Sequence, residues 1–123
     1  MKYLIDSNII IYSCIPDYKF ISDFIIENLP AVSIISKIEV LGYSKITSNE
    51  KLRIENIFNI LEVIGFSEEI VSKTIELKSK YNLKLADAII AATSIVNELV
   101  LCTRNLKDFN KIKKIKLYNP FDD

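Results

Sequence analysis

The sequence predicts an α/β domain with three layers, in which helices cover both faces of a central parallel sheet of four to five strands. Short apolar runs alternate along the chain with longer segments whose apolar residues recur at helical spacing. Several of the short runs are continuously apolar, as expected for parallel strands that are buried on both faces. A chain of 123 residues has the length of one domain, so we expect a single domain over residues 1–123.

The predicted elements follow one another with short connections. We expect strands at residues 2–5, 31–35, 62–66, 99–102 and 115–118. We expect helices at residues 9–13, 18–28, 36–45, 47–61, 67–81 and 85–98, a helical turn at 106–110, and a frayed tail at 120–123. Gly is scarce and no Gly-rich phosphate loop exists, which argues against a nucleotide-binding site.

The first strand ends at Asp6, and either Ser7 or Asn8 can cap the helix that follows. This helix stops before Pro16, and Pro30 ends the next one. Asp6 is therefore predicted to lie at the carboxyl edge of the sheet, where open α/β sheets bind ligands. The alternative is that Asp6 only helps to form the turn.

The third helix follows the second strand directly. Ser36 as the N-cap and Glu39 three residues later fit a capping box, with Ile35 and Val40 as a hydrophobic staple. A capping box alone would explain why an acid stands at position 39. The first turn of this helix also lies at the same edge of the sheet as Asp6, so a structural and a functional role are compatible.

The later helices also carry start signals. Thr47 with Glu50 fits a capping box, and Ser67 is predicted to cap the next helix, with Glu68 and Glu69 in its first turn. Alternation of these helices with the remaining strands completes the α/β pattern.

The composition excludes several kinds of chemistry. The formal net charge is zero, so only local patches can attract a polyanion. The chain has no His, which excludes Ser–His and Cys–His nucleophiles, His bases and His-containing zinc sites. Cys14 and Cys102 fit no metal-binding spacing and are interpreted as apolar residues in a reducing cytoplasm, with Cys102 in a buried strand. We see neither a signal peptide nor a membrane span.

Two further acids are candidates for the same edge. Asp87 lies in the first turn of a helix, where an acid suits the dipole, but its flanking residues Ala86 and Ala88 are apolar. Asp108 follows the fourth strand, and the alternative for it is a solvated turn with Arg104 or Lys107 as an ion-pair partner.

In the order of its motifs, the sequence resembles the PIN-domain family, in particular the small VapC-like ribonuclease toxins. The resemblance covers nearly the whole chain and rests on four segments: residues 4–8, Ile38-Glu39, residues 86–92 and residues 103–109. It implies a parallel sheet between helices and an acidic quartet of Asp6, Glu39, Asp87 and Asp108. It also implies that Ser7 and Asn105 are polar neighbours of the site.

Carboxylates that are forced together either take up protons or bind a cation. Oxygen-only ligands favour Mg²⁺ or Mn²⁺, and Mg²⁺ takes only one or two protein carboxylates directly. Together with the resemblance, which implies a ribonuclease, this chemistry leads us to expect metal-dependent hydrolysis of RNA phosphodiester bonds, with Asp6 and Asp87 as the most direct ligands. Glu39 and Asp108 are expected to position ions or water.

An acidic pocket repels RNA, so cations must flank it. Arg104, Lys107 and Lys37 are the candidate RNA-binding residues, although any one Lys is more often simply solvated. The resemblance further implies a cognate antitoxin, a homodimer and a cytoplasmic location. Two rival interpretations are an inactive PIN-like module that binds RNA or protein, and a receiver-type phosphoacceptor domain.

Overall fold

The computed structural model describes residues 2–122, which form an α/β domain built around five short strands. The strands are β1 (Tyr3–Ile5), β2 (Ala31–Ser33), β3 (Glu62–Ile64), β4 (Val100–Cys102) and β5 (Lys116–Tyr118). The helices are α1 (Ser7–Ser13), α2 (Lys19–Asn28), α3 (Ile34–Leu41), α4 (Ser48–Ile60), α5 (Glu68–Lys80) and α6 (Leu85–Val96). Two 3₁₀ helices lie at Pro16–Tyr18 and Leu106–Asp108.

All four strand pairings are parallel, and the strand order is β3-β2-β1-β4-β5. β1 is thus the central strand, with Leu4 opposite Ala31 on one side and Leu101 on the other. The chain builds outward from β1 to β3 and then returns to add β4 on the other side. The crevice at the carboxyl ends of β1 and β4 is therefore the topological switch point, where parallel α/β sheets bind ligands.

Successive residues of the central strands face opposite sides of the sheet, which divides the core into two clusters. Leu4 and Leu101 pack against residues of α5 and α6, together with Phe109. Ile5 and Cys102 pack on the other face against residues of α1, α2 and α4. The predicted three-layer architecture with a parallel sheet is confirmed.

α3 joins the two helical layers. It begins directly after β2 and contacts α1 and α4 from one layer and α6 from the other. Val40 belongs to one core cluster, and Ile35 packs against the other. A side chain on α3 can therefore reach groups from both faces of the sheet.

The start of α3 corrects the sequence analysis. Its N-cap is Ser33, whose hydroxyl accepts a hydrogen bond from the Ile35 amide, so the predicted capping box of Ser36 and Glu39 is wrong. The predicted strand over residues 31–35 correspondingly ends two residues early. Ser33 competes successfully for the cap because its side chain reaches the free amides of the first turn as soon as the strand ends.

The starts of two other helices agree with the prediction from the sequence, and the start of α1 differs from it. The Thr47–Glu50 capping box is present, and Ser67 caps α5. α1 is capped by Asp6 itself rather than by Ser7 or Asn8, since the Asp6 carboxylate accepts from the Ser7 amide. The site acid and the helix cap are thus one residue.

The tail was expected to be frayed, but Phe121 packs against the rings of Tyr12, Tyr18 and Phe20. The last residue of the predicted tail, at position 123, lies outside the described residues. Within residues 2–122, none of the helices is long and apolar enough to cross a membrane.

Adjacent residues of α2 offer a matched test of the packing. Ile25 is 2% exposed, whereas Ile26 is 62% exposed. Ile25→Ala should lower the free energy of unfolding by about 2–5 kcal/mol because it removes buried methyl groups and leaves a cavity. Ile26→Ala should change it by less than about 0.5 kcal/mol. Urea unfolding followed by circular dichroism measures both, and equal losses would contradict this packing.

Candidate active site

One pocket of about 730 Å³ opens at the carboxyl edge of the sheet, and all four predicted acids line it. They come from separate elements, since Asp6 follows β1, Glu39 lies on α3, Asp87 on α6 and Asp108 in the second 3₁₀ helix. Asp6 is buried, Asp87 is half-buried, and the other two are exposed. The acids therefore run from the floor of this acid pocket to its rim.

Asp6 is fixed in place by hydrogen bonds to both carboxylate oxygens. The Ser7 amide donates to Oδ1 at 2.7 Å, and the Thr103 hydroxyl donates to Oδ2 at 2.9 Å. Burial raises the pKa of Asp6 to about 6; these two hydrogen bonds lower it, and the charges of Asp87 and Glu39 raise it further. The fold thus holds a carboxyl group in a place where its charged form is costly.

Glu39 is oriented by α1 rather than by its own helix. The Ser7 hydroxyl lies 2.8 Å from Glu39 Oε1 and 2.9 Å from the hydroxyl of Ser36, which is fully buried. A hydroxyl carries one proton, and a carboxylate can only accept one, so the Ser7 hydroxyl donates to Glu39. Its contact with Ser36 then uses a lone pair of the Ser7 oxygen. The correction to the N-cap therefore removes the structural explanation of Glu39 and leaves it as part of the pocket.

Asp87 faces the same pocket from the first turn of α6. Desolvation raises its pKa, the charges of Asp108 and Glu39 raise it further, and Lys84 lowers it. The acids are thus coupled electrostatically. The charges of Glu39 and Asp108 raise the pKa of Asp87, and the charges of Asp87 and Glu39 raise the pKa of Asp6.

Sequence reasoning did not find two residues that support the site. Thr103 ties β4 to Asp6 and also accepts a hydrogen bond from the Asn105 amide, which places Asn105 in the pocket lining. Ser36 holds Ser7. Thr103 follows β4 directly, and β4 lies beside β1 in the sheet. This position indicates that Thr103 can contact Asp6, but the inference requires knowledge of the strand order.

The donor set of the acid pocket suits a hard divalent cation. Among residues 2–122 the ion pairs are Lys19–Asp23 and Lys73–Glu76, so none of the four pocket acids is neutralised by a salt bridge. Within the same range, no group of three or more Asp, Glu or Cys side chains lies close enough together to hold a metal ion. An ion that uses one or two carboxylates and keeps its waters, as Mg²⁺ does, fits this arrangement.

None of the three predicted RNA-binding cations is among the residues that line the pocket, whose cations are Arg53 and Lys84. Lys37 on α3 and Lys107 in the second 3₁₀ helix are exposed. The Arg104 guanidinium stands over aromatic rings, 4.2 Å from the centroid of Phe121 and 5.2 Å from that of Tyr12. Its faces are occupied by protein, although the residue remains exposed.

Another part of the pocket lining comes from α1, α4 and the chain around residue 43, and it combines apolar side chains with Glu50 and Arg53 of α4. The apolar side chains include Ile11, Ile15, Tyr43, Ile46 and Ile54. Ile11 and Tyr43 are among the exposed large hydrophobic residues of the described chain.

A parallel α/β sheet with acids at its switch point is a fold shared by a known class of proteins. The sequence matches the PIN domain family over residues 3–115, and the chain belongs to that family. No curated protein sequence is similar enough to be matched to it.

Among solved structures the chain is similar to components of toxin–antitoxin complexes. A chain in a toxin–antitoxin complex from Klebsiella pneumoniae is 29% identical, with a TM-score of 0.79, and the match covers 99% of this chain and 100% of that one. A chain of VapBC-1 from nontypeable Haemophilus influenzae is 25% identical over 98% of both chains, with a TM-score of 0.79. A chain of VapBC2 from Rickettsia felis, bound to a promoter DNA fragment, is 24% identical over 97% of this chain and 98% of that one, with a TM-score of 0.81.

The strand order also bears on the receiver-type alternative. Receiver domains have the flavodoxin-like order 2-1-3-4-5. The order here is 3-2-1-4-5, so the chain does not have the receiver fold.

Burial of Asp6 predicts a pH-dependent stability. Its pKa is about 6 in the folded protein against 3.8 for an unperturbed Asp carboxyl, so the folded state holds the proton more tightly. The stability that this proton contributes should therefore be lost as the pH rises from below 3.8 to above 6, roughly 3 kcal/mol in all at about 1.4 kcal/mol per pKa unit.

The Asp6→Asn variant cannot lose this proton and should not show this dependence. Its free energy of unfolding relative to the parent should rise by most of that amount between pH 4 and pH 7.5. Urea unfolding at both pH values measures the difference, and an effect of Asp6→Asn that is equal at both would contradict the prediction.

Proposed function

We propose that this protein is a metal-dependent endoribonuclease that hydrolyses RNA phosphodiester bonds in the acid pocket. The observation that carries the proposal is the convergence on one pocket of four carboxylates from four elements, none in a salt bridge within residues 2–122. Mutual repulsion of this kind is relieved by a cation. Membership of the PIN domain family supports the same reaction class.

In this proposal Asp6 and Asp87 hold the ion directly, because they are the two pocket acids that are withdrawn from solvent. Glu39 and Asp108 are more exposed and act through water. A bound Mg²⁺ or Mn²⁺ would acidify a water molecule and stabilise the charge that builds on the scissile phosphate.

The remaining site residues orient this machinery. Thr103 fixes the plane of the Asp6 carboxylate, and Ser7 holds Glu39 turned toward α1. Asn105 lines the pocket beside them and can donate its side-chain amide protons to a phosphate oxygen.

Arg104, Lys107 and Lys37 are proposed to bind the RNA backbone around the pocket. Stacking on Tyr12 and Phe121 restrains the Arg104 guanidinium, which lowers the ordering cost of binding a phosphate with its free edge. Lys107 and Lys37 supply unrestrained positive charge near Asp108 and Glu39.

The biological role that we propose is the toxin of a type II toxin–antitoxin pair in the cytoplasm. Support comes from the similarity to chains of toxin–antitoxin complexes over nearly the full length of both chains. A cognate antitoxin and a homodimer are accordingly the proposed protein partners.

Cleavage of single-stranded RNA tests the activity. With Mg²⁺ or Mn²⁺ the parent should cut, and EDTA should stop it. Asp6→Asn and Asp87→Asn should each lower kcat by at least about 100-fold because they remove charge that a cation needs.

Asp23→Asn is the matched control, since Asp23 lies outside the pocket in an exposed pair with Lys19. It should cut at the parental rate. If the two pocket variants also cut at that rate, the assignment of the site is wrong. If the pocket variants fold but no protein cuts RNA under any condition, the alternative of an inactive binding module gains support.

Cation binding should also appear as stabilisation without any substrate. At pH 7.5, millimolar Mn²⁺ should raise the Tm of the parent by several degrees, because an ion bound to the folded state removes the repulsion among the acids. The gain should be much smaller for Asp6→Asn/Asp87→Asn. Differential scanning fluorimetry measures it, and an equal gain in both proteins would place the ion elsewhere.

A further inference from the structure

Two loops distant in sequence form one basic surface beside the acid pocket. Residues 78–84 contain three Lys and no acid, and residues 109–118 contain four Lys and no acid. All seven of these lysines are exposed, and six of them form what we call the lysine ridge: Lys78, Lys80, Lys84, Lys111, Lys113 and Lys114.

Hydrogen bonds hold the two halves of the ridge together. The Lys111 ammonium donates to the Asn82 carbonyl at 3.2 Å, and the Lys113 amide donates to the Tyr81 hydroxyl at 3.2 Å. The Lys78 ammonium donates to the Leu83 carbonyl at 2.8 Å. The loops are therefore fixed against one another, and each of these ammonium groups keeps further protons for an external acceptor.

The positive charge of the ridge is largely uncompensated. None of its six lysines forms a salt bridge in the described part of the chain. The nearby carboxylate of Glu76 is paired with Lys73 at 2.7 Å. Lys80, the last residue of α5, and Lys114 both contribute to lowering the pKa of Glu76, as expected if cations of both segments lie near that carboxylate.

The ridge begins at the acid pocket. Lys84 lines the pocket beside Asp87 and is also the N-cap residue of α6. From there the surface continues along the α5–α6 connection to Lys111, Lys113 and Lys114. A negatively charged chain that enters the pocket therefore meets an attractive surface on this side.

We propose that the lysine ridge binds the phosphate backbone of the RNA strand whose scissile bond lies in the acid pocket, on the side of α5 and the 109–118 segment. This inference rests on the proposed function. It adds the lysine ridge, which includes residues of α5 and the loop after it, to the proposed backbone-binding residues Arg104, Lys107 and Lys37. A series of separated point charges suits sequence-independent contacts with successive phosphates.

The test uses Lys113→Gln/Lys114→Asn. Lys114 has a φ of 69°, a left-handed conformation that Asn adopts more readily than Lys does, so this variant should fold at least as well as the parent. The matched control is Lys2→Gln/Lys19→Gln, which removes the same charge from residues that do not line the pocket. Lys113→Arg/Lys114→Arg keeps the charge.

The first measurement is fluorescence anisotropy with a short labelled single-stranded RNA in EDTA, which needs no cleavage. The ridge variant should bind about tenfold more weakly at 0.1 M salt, and the slope of log affinity against log salt should fall by about 1.4, as for two lost phosphate contacts. The control and the Arg variant should bind like the parent. With Mn²⁺, the ridge variant should raise KM and leave kcat unchanged.

The outcomes separate the two proposals. Parental affinity and KM in the ridge variant, with the parent cutting RNA, would overturn the ridge and leave the nuclease standing. Ridge-dependent RNA binding without cleavage by any protein would support the ridge and overturn the nuclease. Tighter ridge-dependent binding to DNA of the same sequence than to RNA would also overturn the ridge proposal, and a parent that neither binds nor cuts RNA would overturn both.

Discussion

The structure of the site depends on one constraint, the confinement of the Asp6 carboxylate between the ends of β1 and β4. Its two oxygens are satisfied from opposite sides, by the amide that starts α1 and by the hydroxyl that follows β4. These bonds fix the group where burial and the neighbouring acids make its charge unfavourable. A carboxylate held rigidly in this way keeps its geometry while a ligand with positive charge comes and goes, which is what a preorganised site requires.

α3 determines how the other acids meet Asp6. Because it touches helices of both layers, it carries Glu39 between the end of β1 and the start of α6. The start of α3 at Ile34 rather than after Ser36 is a shift of three residues, which moves Glu39 from the first turn of the helix into the second. The same shift buries Ser36, which then supports Ser7. The position of the α3 N-cap thus decides whether the Glu39 side chain caps its own helix or lines the pocket.

The sequence allowed the prediction of the layers, the parallel sheet and the four acids because each is a local signal. A buried apolar run followed by an acid and a small polar residue marks the carboxyl end of a strand, as at Asp6. The supporting residues needed information that no local pattern carries. Thr103 becomes meaningful only when β4 is known to lie beside β1, and the rings around Arg104 come from the first and last fifths of the chain. Ser36 was predicted as the cap of α3 instead of Ser33, because no local pattern shows at which residue β2 ends.

Asp6 combines two duties that other site acids do not share, since it also caps α1. In a lineage that lost catalysis, selection for a stable fold would still act on this position and would favour residues that can cap, such as Asn or Ser. Asp87 and Asp108 accept no side-chain hydrogen bond from the described chain and could drift without cost to the fold. If the proposed activity were lost, descendants of this protein would thus keep a polar residue at the end of the first strand long after the remaining acids had gone.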